Sequence, residues 1–204
     1  MTRETTMVTS MGWRTKTGAL LATLVLSACL GPRADPSAYF LLAPVPPPAT
    51  EPPLDVTIGL GPVTIPGYLD RLQIVTRLGD NEVAVSEVDR WGEPLAGSLA
   101  RTLETNLSAL LQGSSYVAYP WYPSEAPDLA VALDIRRFES DAAGAVVLEA
   151  GWRLTRSGTV VDGGVASIEE QASAAGQAAA VAAQSRALAG LAAEIARAVR
   201  RAAL

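Results

Sequence analysis

The side chains that carry most enzyme chemistry are scarce in this chain. Its 204 residues include no histidine and a single cysteine, Cys29. Histidine is the usual proton carrier near neutral pH and a common metal ligand. Serine–histidine triads and zinc or haem sites built on His and Cys therefore lack their donors here. Paired carboxylates could still cleave a glycosidic bond without histidine. The candidate pairs, Glu169-Glu170 and Asp80 with Glu82, read as turn or exposed positions, where solvated surface charge is the simpler account. Gly59-Leu60-Gly61-Pro62 is not followed by the helix that a phosphate-binding glycine loop requires, so it reads as a turn. Gly97-Ser98-Leu99 sits inside a leucine-striped segment and lacks the flanks of a nucleophile elbow. The expectation is a non-enzyme with no cofactor and no metal.

Cys29 is the exception, because its surroundings assign it a task. It closes the run Leu26-Ser27-Ala28-Cys29, behind an apolar stretch from Gly18 to Leu26 and the basic residues Arg14 and Lys16. A basic flank, an apolar run and small residues before a cut are the layout of a secretory signal peptide. The apolar run is far shorter than the roughly 20 residues of a membrane-spanning helix. Leu-Ser-Ala before cysteine resembles the bacterial lipoprotein signal. In such proteins the thiol receives a diacylglyceryl group and the freed amine is acylated. Each buried CH2 contributes about 0.8 kcal/mol, and two or more chains anchor stably. The alternative for a lone cysteine is a small buried hydrophobe, which sits poorly with removal of residues 1–28. Residues 1–28 are thus expected to be a signal peptide, 29–38 a lipidated tether and 39–204 the folded domain. Residue 30 is leucine, where an aspartate marks inner-membrane retention in enteric lipoproteins. By that likeness the domain hangs from the outer membrane and faces the periplasm.

Charge narrows the partners. Cleavage before Cys29 removes three basic residues (Arg3, Arg14, Lys16) and one acidic residue (Glu4), taking the net charge from −5 to −7 and leaving no lysine. Such a surface does not suit nucleic-acid binding, which depends on cations neutralising phosphates. Nor does it offer a polybasic grip on anionic lipid, so the acyl chains must do the anchoring. Nine extended residues after Cys29 span at most about 30 Å, which keeps the domain close to its membrane.

The spacing of apolar residues supplies the scaffold. Tyr39-Phe40-Leu41-Leu42 has strand character, and proline-rich 43–53 reads as a stiff connector. Period-two alternation predicts strands at 54–60 and 128–138, and 72–76, 82–88, 115–119, 145–155 and 159–168 read as further strands. Gly79-Asp80-Asn81 and Ser157-Gly158 supply hairpin turns, and the alternation of the third strand slips at Ser86-Glu87. Pro94 suits a first helical position, ahead of Leu95, Leu99, Leu103 and Leu107 on one stripe, with Gly113 as the stop. Alanine-rich 175–203 predicts a long helix whose Val181, Leu188, Leu191, Ile195 and Val199 share a face. Packing on the sheet fits that narrow aliphatic stripe better than lying on a membrane, because aromatic anchors are missing. Strands, helix, strands and a final helix point to an α/β domain, with α+β as the runner-up: a single mixed β-sheet with two principal helices.

The segment Gly61 to Arg71 resists this periodicity. Prolines and glycines interrupt it, yet Val63, Ile65 and Leu69 remain apolar. It reads as an ordered crossover loop with Tyr68 packed and its hydroxyl paired. The other reading is an exposed contact loop. Trp91 reads as an apolar staple at the helix start. The blocks Gly61-Pro62-Val63-x-Ile65-Pro66-Gly67-Tyr68-Leu69-Asp70-Arg71-x-Gln73-Ile74-Val75-x-Arg77, Arg90-Trp91-Gly92-Glu93-Pro94-Leu95 and Tyr39-Phe40-Leu41-Leu42 resemble the membrane-integrity transporter subunit family, the PqiC-type auxiliary lipoproteins of ABC transport systems. The likeness covers the N-terminal half well and loosens beyond Leu129.

That resemblance implies a non-catalytic docking component of a lipid-transport pathway. Its implied partners are an MCE-domain protein and the ABC permease and ATPase that work with it. It carries no catalytic residues to transfer. Tyr68, Asp70, Arg71, Arg90 and Trp91 are the residues expected to matter, chiefly by shaping the sheet edge and helix start; partner contact by Tyr68 or Arg71 is the bolder reading. An alternative is a lipoprotein that carries lipid or another substrate itself, which needs an apolar cavity of about 300–1,000 Å³. Homo-oligomerisation stays open. Metabolic palmitate labelling is expected to mark the wild-type chain and to vanish in Cys29→Ser; unchanged labelling of that variant would refute acylation of this thiol.

Overall fold

The computed structural model describes residues 35–45, 48 and 50–203. Cys29 and most of the tether lie outside the described residues. From Ser37 onward the chain forms one compact unit.

Its strands are β1 (Ala38–Phe40), β2 (Thr57–Thr64), β3 (Gln73–Gly79), β4 (Glu82–Trp91), β5 (Ser115–Ala118), β6 (Leu129–Asp141), β7 (Ala145–Arg156) and β8 (Thr159–Gln171). They join in one eight-stranded mixed sheet. Two helices, α1 (Leu95–Leu110) and α2 (Gln177–Ala203), pack on it, α1 against β2 and α2 against β6, β7 and β8. The helices also touch each other, so both lie on one face, and among the described residues the other face carries no helix layer. This is an α/β fold. No described helix is long and apolar enough to cross a membrane.

The alternating residues form the core. Leu129, Val131, Leu133 and Ile135 of β6 are buried, as are Val146, Leu148, Ala150, Trp152 and Leu154 of β7. From above they meet Leu95, Leu99, Leu103 and Leu107 of α1 and Val181, Leu188, Leu191, Ile195 and Val199 of α2. Each such side chain contributes about 1.5–3 kcal/mol on burial. The predicted helical stripes are therefore the faces that pack. Alanines at 183, 187 and 198 are equally buried, letting α2 sit close to the sheet.

Several boundaries differ from the periodicity reading. Pro94 occupies the N-cap rather than the first helical position, and its carbonyl accepts from the Ser98 N–H at 3.1 Å. Gly59-Leu60-Gly61-Pro62 is strand, not turn: β2 continues to Thr64, with a register shift between Leu60 and Val63. Parallel neighbours β5 and β6 satisfy its backbone on both sides. The glycines serve close packing by the 119–127 loop. A Cβ at Gly59 would stand 2.5 Å from the Pro127 ring and 2.8 Å from Trp121; Gly61, at φ 129°, lies against Tyr119. Both β6 and β8 outrun the reading, because Glu139 and Ser140 keep pairing with β7, Asp141 pairs with Arg77 of β3, and Glu169-Glu170-Gln171 keep pairing with β7. Glu169 and Glu170 are thus strand residues, and Glu170 binds Arg186 at 2.8 Å. The slip at Ser86 is real: its hydroxyl accepts from the Asp89 N–H at 2.9 Å, where the β3–β4 register shifts.

The connector after β1 is more than a spacer. The Ala43 N–H donates to Ser185 Oγ at 3.1 Å, and the Val45 N–H to Asn106 Oδ1 at 2.9 Å. Two buried polar side chains, one on each helix, thereby hold it over the helical layer.

Leu103, fully buried in α1, tests this layer. Leu103→Ala is expected to destabilise the fold by about 2–5 kcal/mol, read as a lower urea midpoint with an unchanged slope.

Candidate functional site

The sheet has one unusual junction. Strand β6 gives one edge to β7 along its length, and the other edge to both β2 and β3. β2 pairs with residues 129–134 and β3 with 140–141, all parallel. Between these registers β6 bulges at 135–137. The chain from Ile65 to Leu72 leaves the sheet there and returns as β3. Its turn is held by the Leu69 N–H donating to the Pro66 carbonyl at 2.9 Å, and Leu69 is buried beneath it.

Tyr68 closes the junction. Its hydroxyl donates to Glu139 Oε2 at 2.8 Å and lies 3.4 Å from the Arg136 carbonyl of the bulge. Arg77 Nε donates to Glu139 Oε1 at 2.5 Å, and Arg137 Nε reaches the same oxygen at 3.1 Å. The Phe138 N–H donates to Oε2 at 3.0 Å. Arg137 also pairs with Glu149 at 3.3 Å, and Arg77 reaches the carbonyls of Gly79 and Asp80. Glu139 itself is only 1% exposed. Burial pushes its carboxyl up, but the hydrogen bonds from Arg77, Tyr68, Arg137 and Phe138 outweigh that and hold it below the ordinary glutamate value. The Tyr68 hydroxyl is pushed up to about 12, first by burial and then by its bond to Glu139. Glu139 is accordingly a saturated anion that fastens the loop after β2 to β3 and β6. It has no free lone pair facing solvent with which to act as a base.

The expected site residues divide around this junction. Tyr68 is packed and paired, as the crossover-loop reading holds. Trp91 is buried with Leu95 in the core at the start of α1. Its N–H donates to the Leu72 carbonyl at 2.6 Å, and the Gly92 N–H to the Phe40 carbonyl at 2.8 Å. Asp70 and Arg71 are exposed on the loop. Arg90 pairs in register with Gln73 on one side and Tyr39 on the other. Its Nε is buried without a hydrogen-bond partner. The three sequence blocks, far apart along the chain, thus meet at one edge of the sheet: β1, the loop with β3, and the end of β4.

Glu139 was not legible as a site residue, because a strand ending at Phe138 leaves it as a surface charge. The available signal was Arg77, a cation in an apolar strand that needs a buried acid. Bordering this junction at Arg136, a hollow of about 690 Å³ lies on the face opposite the helices, lined by Thr64, Asp134, Arg136, Gly151, Arg153 and Val165 among others. It is an open trough rather than an enclosed apolar cavity.

The family model described as "ABC-type transport auxiliary lipoprotein component" matches residues 39–196, and the chain belongs to that family. None of the curated proteins matches it. A crystal structure described as an uncharacterized protein is similar with TM-score 0.68 and 23% identity, over 80% of this chain and 98% of that one. A protein from Xanthomonas campestris assigned to the family DUF330 is similar with TM-score 0.67 and 21% identity, over 78% and 93%. At these identities the likeness establishes the shared fold.

Two variants test the junction. Tyr68→Phe removes one donor from a buried carboxylate and is expected to cost about 1–3 kcal/mol. Glu139→Gln strands Arg77 and leaves Arg137 with Glu149 alone, and is expected to cost about 3–5 kcal/mol. The depressed carboxyl stabilises the fold above the unfolded glutamate value of 4.5, and that contribution fades as pH falls through the folded value. The raised Tyr68 works oppositely: its contribution is intact below 10.0 and is lost as pH rises through about 12. Urea unfolding across pH is expected to be steeper on the acid side for wild type than for Glu139→Gln; parallel curves would refute the role of this carboxylate.

Proposed function

We propose that this family member is a non-catalytic docking lipoprotein of an MCE-type ABC lipid-transport system, fixed to the outer membrane through acylated Cys29. The family assignment supports a part in an ABC transport system as an auxiliary component. The observation that carries the docking reading is the convergence of the three sequence blocks on one edge. Tyr39 and Arg90 lie side by side there, and the braced loop presents Asp70 and Arg71 to solvent. A rigid edge with exposed polar and aromatic groups is the form that a recognition surface takes. The four donors on Glu139 hold that edge in shape and leave the carboxylate no chemistry of its own.

A cargo carrier would need an apolar chamber. The trough beside Arg136 and Arg153 has sufficient volume, yet it opens to solvent between charged side chains. Docking is therefore the better reading. Leucine rather than aspartate at residue 30 supports the outer membrane as the site of anchoring.

The reading is tested in cells that carry the neighbouring transport genes. Crosslinking followed by purification is expected to recover an MCE-domain protein with the wild-type chain. Arg71→Glu is expected to reduce that recovery at least several-fold while leaving the urea midpoint unchanged, since Arg71 is exposed. Cys29→Ser is expected to weaken the membrane barrier. Full recovery with Arg71→Glu and an intact barrier with Cys29→Ser would overturn the proposal.

A further inference from the structure

The sheet ends unevenly. Its terminal strands β1 and β5 hold 3 and 4 residues, whereas β8 holds 13 and pairs only with β7. Among the described residues no strand pairs with the outer edge of β8. Natural sheets blunt such an edge with lysine, proline, a bulge or a covering segment. β8 has neither lysine nor proline, and its register with β7 runs unbroken from Asp162 to Gln171. Val160, Val161 and Val165 stand exposed along it, Val165 at 63%.

Which backbone groups of β8 face outward follows from its pairing. The Ala172 N–H donates to the Gly144 carbonyl at 2.9 Å, one step beyond the Gln171–Ala145 pair. Hydrogen-bonded and non-bonded pairs alternate along an antiparallel ladder. The even-numbered residues of β8 therefore bond to β7, and the odd-numbered ones from 163 to 171 turn their N–H and C=O outward. Both ends of that row are occupied. The Gly163 N–H donates to Asp162 Oδ1 at 2.8 Å, and the Gln171 carbonyl accepts from Arg186 Nη2 at 2.7 Å. Between them, the outward groups of Val165, Ser167 and Glu169 have no partner among the described residues. A row of free donors and acceptors closed at both ends suits the addition of one more strand.

The row is complementary to itself. Two antiparallel copies of β8 with a two-fold axis at Ser167 set Val165 against Glu169, Ala166 against Ile168 and Gly163 against Gln171. Free groups then meet free groups: the Gly163 carbonyl takes the Gln171 N–H of the second copy. The two occupied groups, the Gly163 N–H and the Gln171 carbonyl, face each other. No carboxylate opposes another, since Glu169 meets Val165 and Glu170 meets Gly164. An axis at Ala166 sets Asp162 against Glu170, which like charge disfavours. An axis at Val165 sets the occupied Gly163 N–H against the free Ser167 carbonyl. Helix α2 leaves room above the edge, because Gly190 lies over Ile168, where a Cβ would stand 3.3 Å from Ile168 Cδ1. We propose that β8 pairs with β8 of a second copy of this chain, antiparallel about Ser167, making one continuous sheet across a two-fold dimer. The contact lies across β6 from the β1–β4 edge, so it leaves the docking edge free and does not rest on the docking reading.

Sedimentation of the full-length chain, extracted from membranes in a non-ionic detergent, tests this, and the mass of two protomers is expected. Residues that exchange both hydrogen bonds across a ladder stand about 5.5 Å apart at Cα, within the span of a disulfide. Ser167→Cys is therefore expected to give a linked pair on mild oxidation that the parent chain does not give. Val165→Cys, more than about 13 Å from its counterpart along the strands, is expected to stay unlinked. Val165→Glu sets a carboxylate against Glu169 of the second copy and is expected to raise the dissociation constant several-fold, whereas Val165→Lys is not. Position 165 is exposed, so neither change disturbs the core. Recovery of an MCE-domain protein is expected to be unaffected by Val165→Glu, which separates this contact from docking. A monomeric chain overturns the proposal, and so does an assembly of any size in which Ser167→Cys stays unlinked or Val165→Cys links instead.

Discussion

A β-strand has two hydrogen-bonding edges, and β6 divides one of them between two partners. β2 takes residues 129–134 and β3 takes 140–141, so the backbone between them must be satisfied by something other than a neighbouring strand. The bulge at 135–137 bends β6 there, and the Ile65–Leu72 excursion covers the gap. Glu139 is the tie: one carboxylate receives Tyr68 from the loop, Arg77 from β3, and Arg137 and the Phe138 N–H from β6. Release of that carboxylate would leave Arg77 without its acid and the loop without its anchor. The placement of β3, and with it β4 and β1, depends on this contact, because β3 meets β6 through only two register pairs.

The same device recurs wherever the acidic chain brings a cation near its core. Arg186 crosses from α2 to Glu170 of β8, and Arg201 to Asp162. Arg200 caps the carbonyls of Pro52 and Leu110. Glu194 accepts the Trp152 indole N–H at 2.9 Å, giving a buried aromatic its polar partner. Arginine suits these roles, since its planar fork serves several acceptors at once and stays charged. Among the described residues Arg71 and Arg90 form no ion pair, although Arg90 Nη2 reaches the Glu87 carbonyl at 3.5 Å.

Period-two and helical stripes, with the short apolar run at 39–42, located the described strands and both helices, because burial on one face imposes its spacing on the residues. The crossover-loop reading of 61–71 began four residues early, since β2 runs to Thr64, but it anticipated a packed, paired Tyr68. The failures share one cause. Gly59 to Pro62 look like a turn because local propensity disfavours strand there, and Glu139-Ser140-Asp141 look like a strand end because they are polar. Both stretches pair anyway, held by neighbours remote in sequence. The hydroxyl of Ser185 and the amide of Asn106 were equally unreadable: each looks like a polar interruption of a helix stripe until the connector crosses above it.

The sequence by itself determined the class of the domain, its two packing helices, the absence of histidine and the setting of the one cysteine. Those follow from composition and from spacings that act over a few residues. Only the tertiary structure decided which cation meets which carboxylate, that three separate blocks share one edge, and that this edge leaves apolar side chains uncovered. Such facts depend on strand order and register, which are set by the sum of many contacts across the whole sheet and leave no mark at any single position.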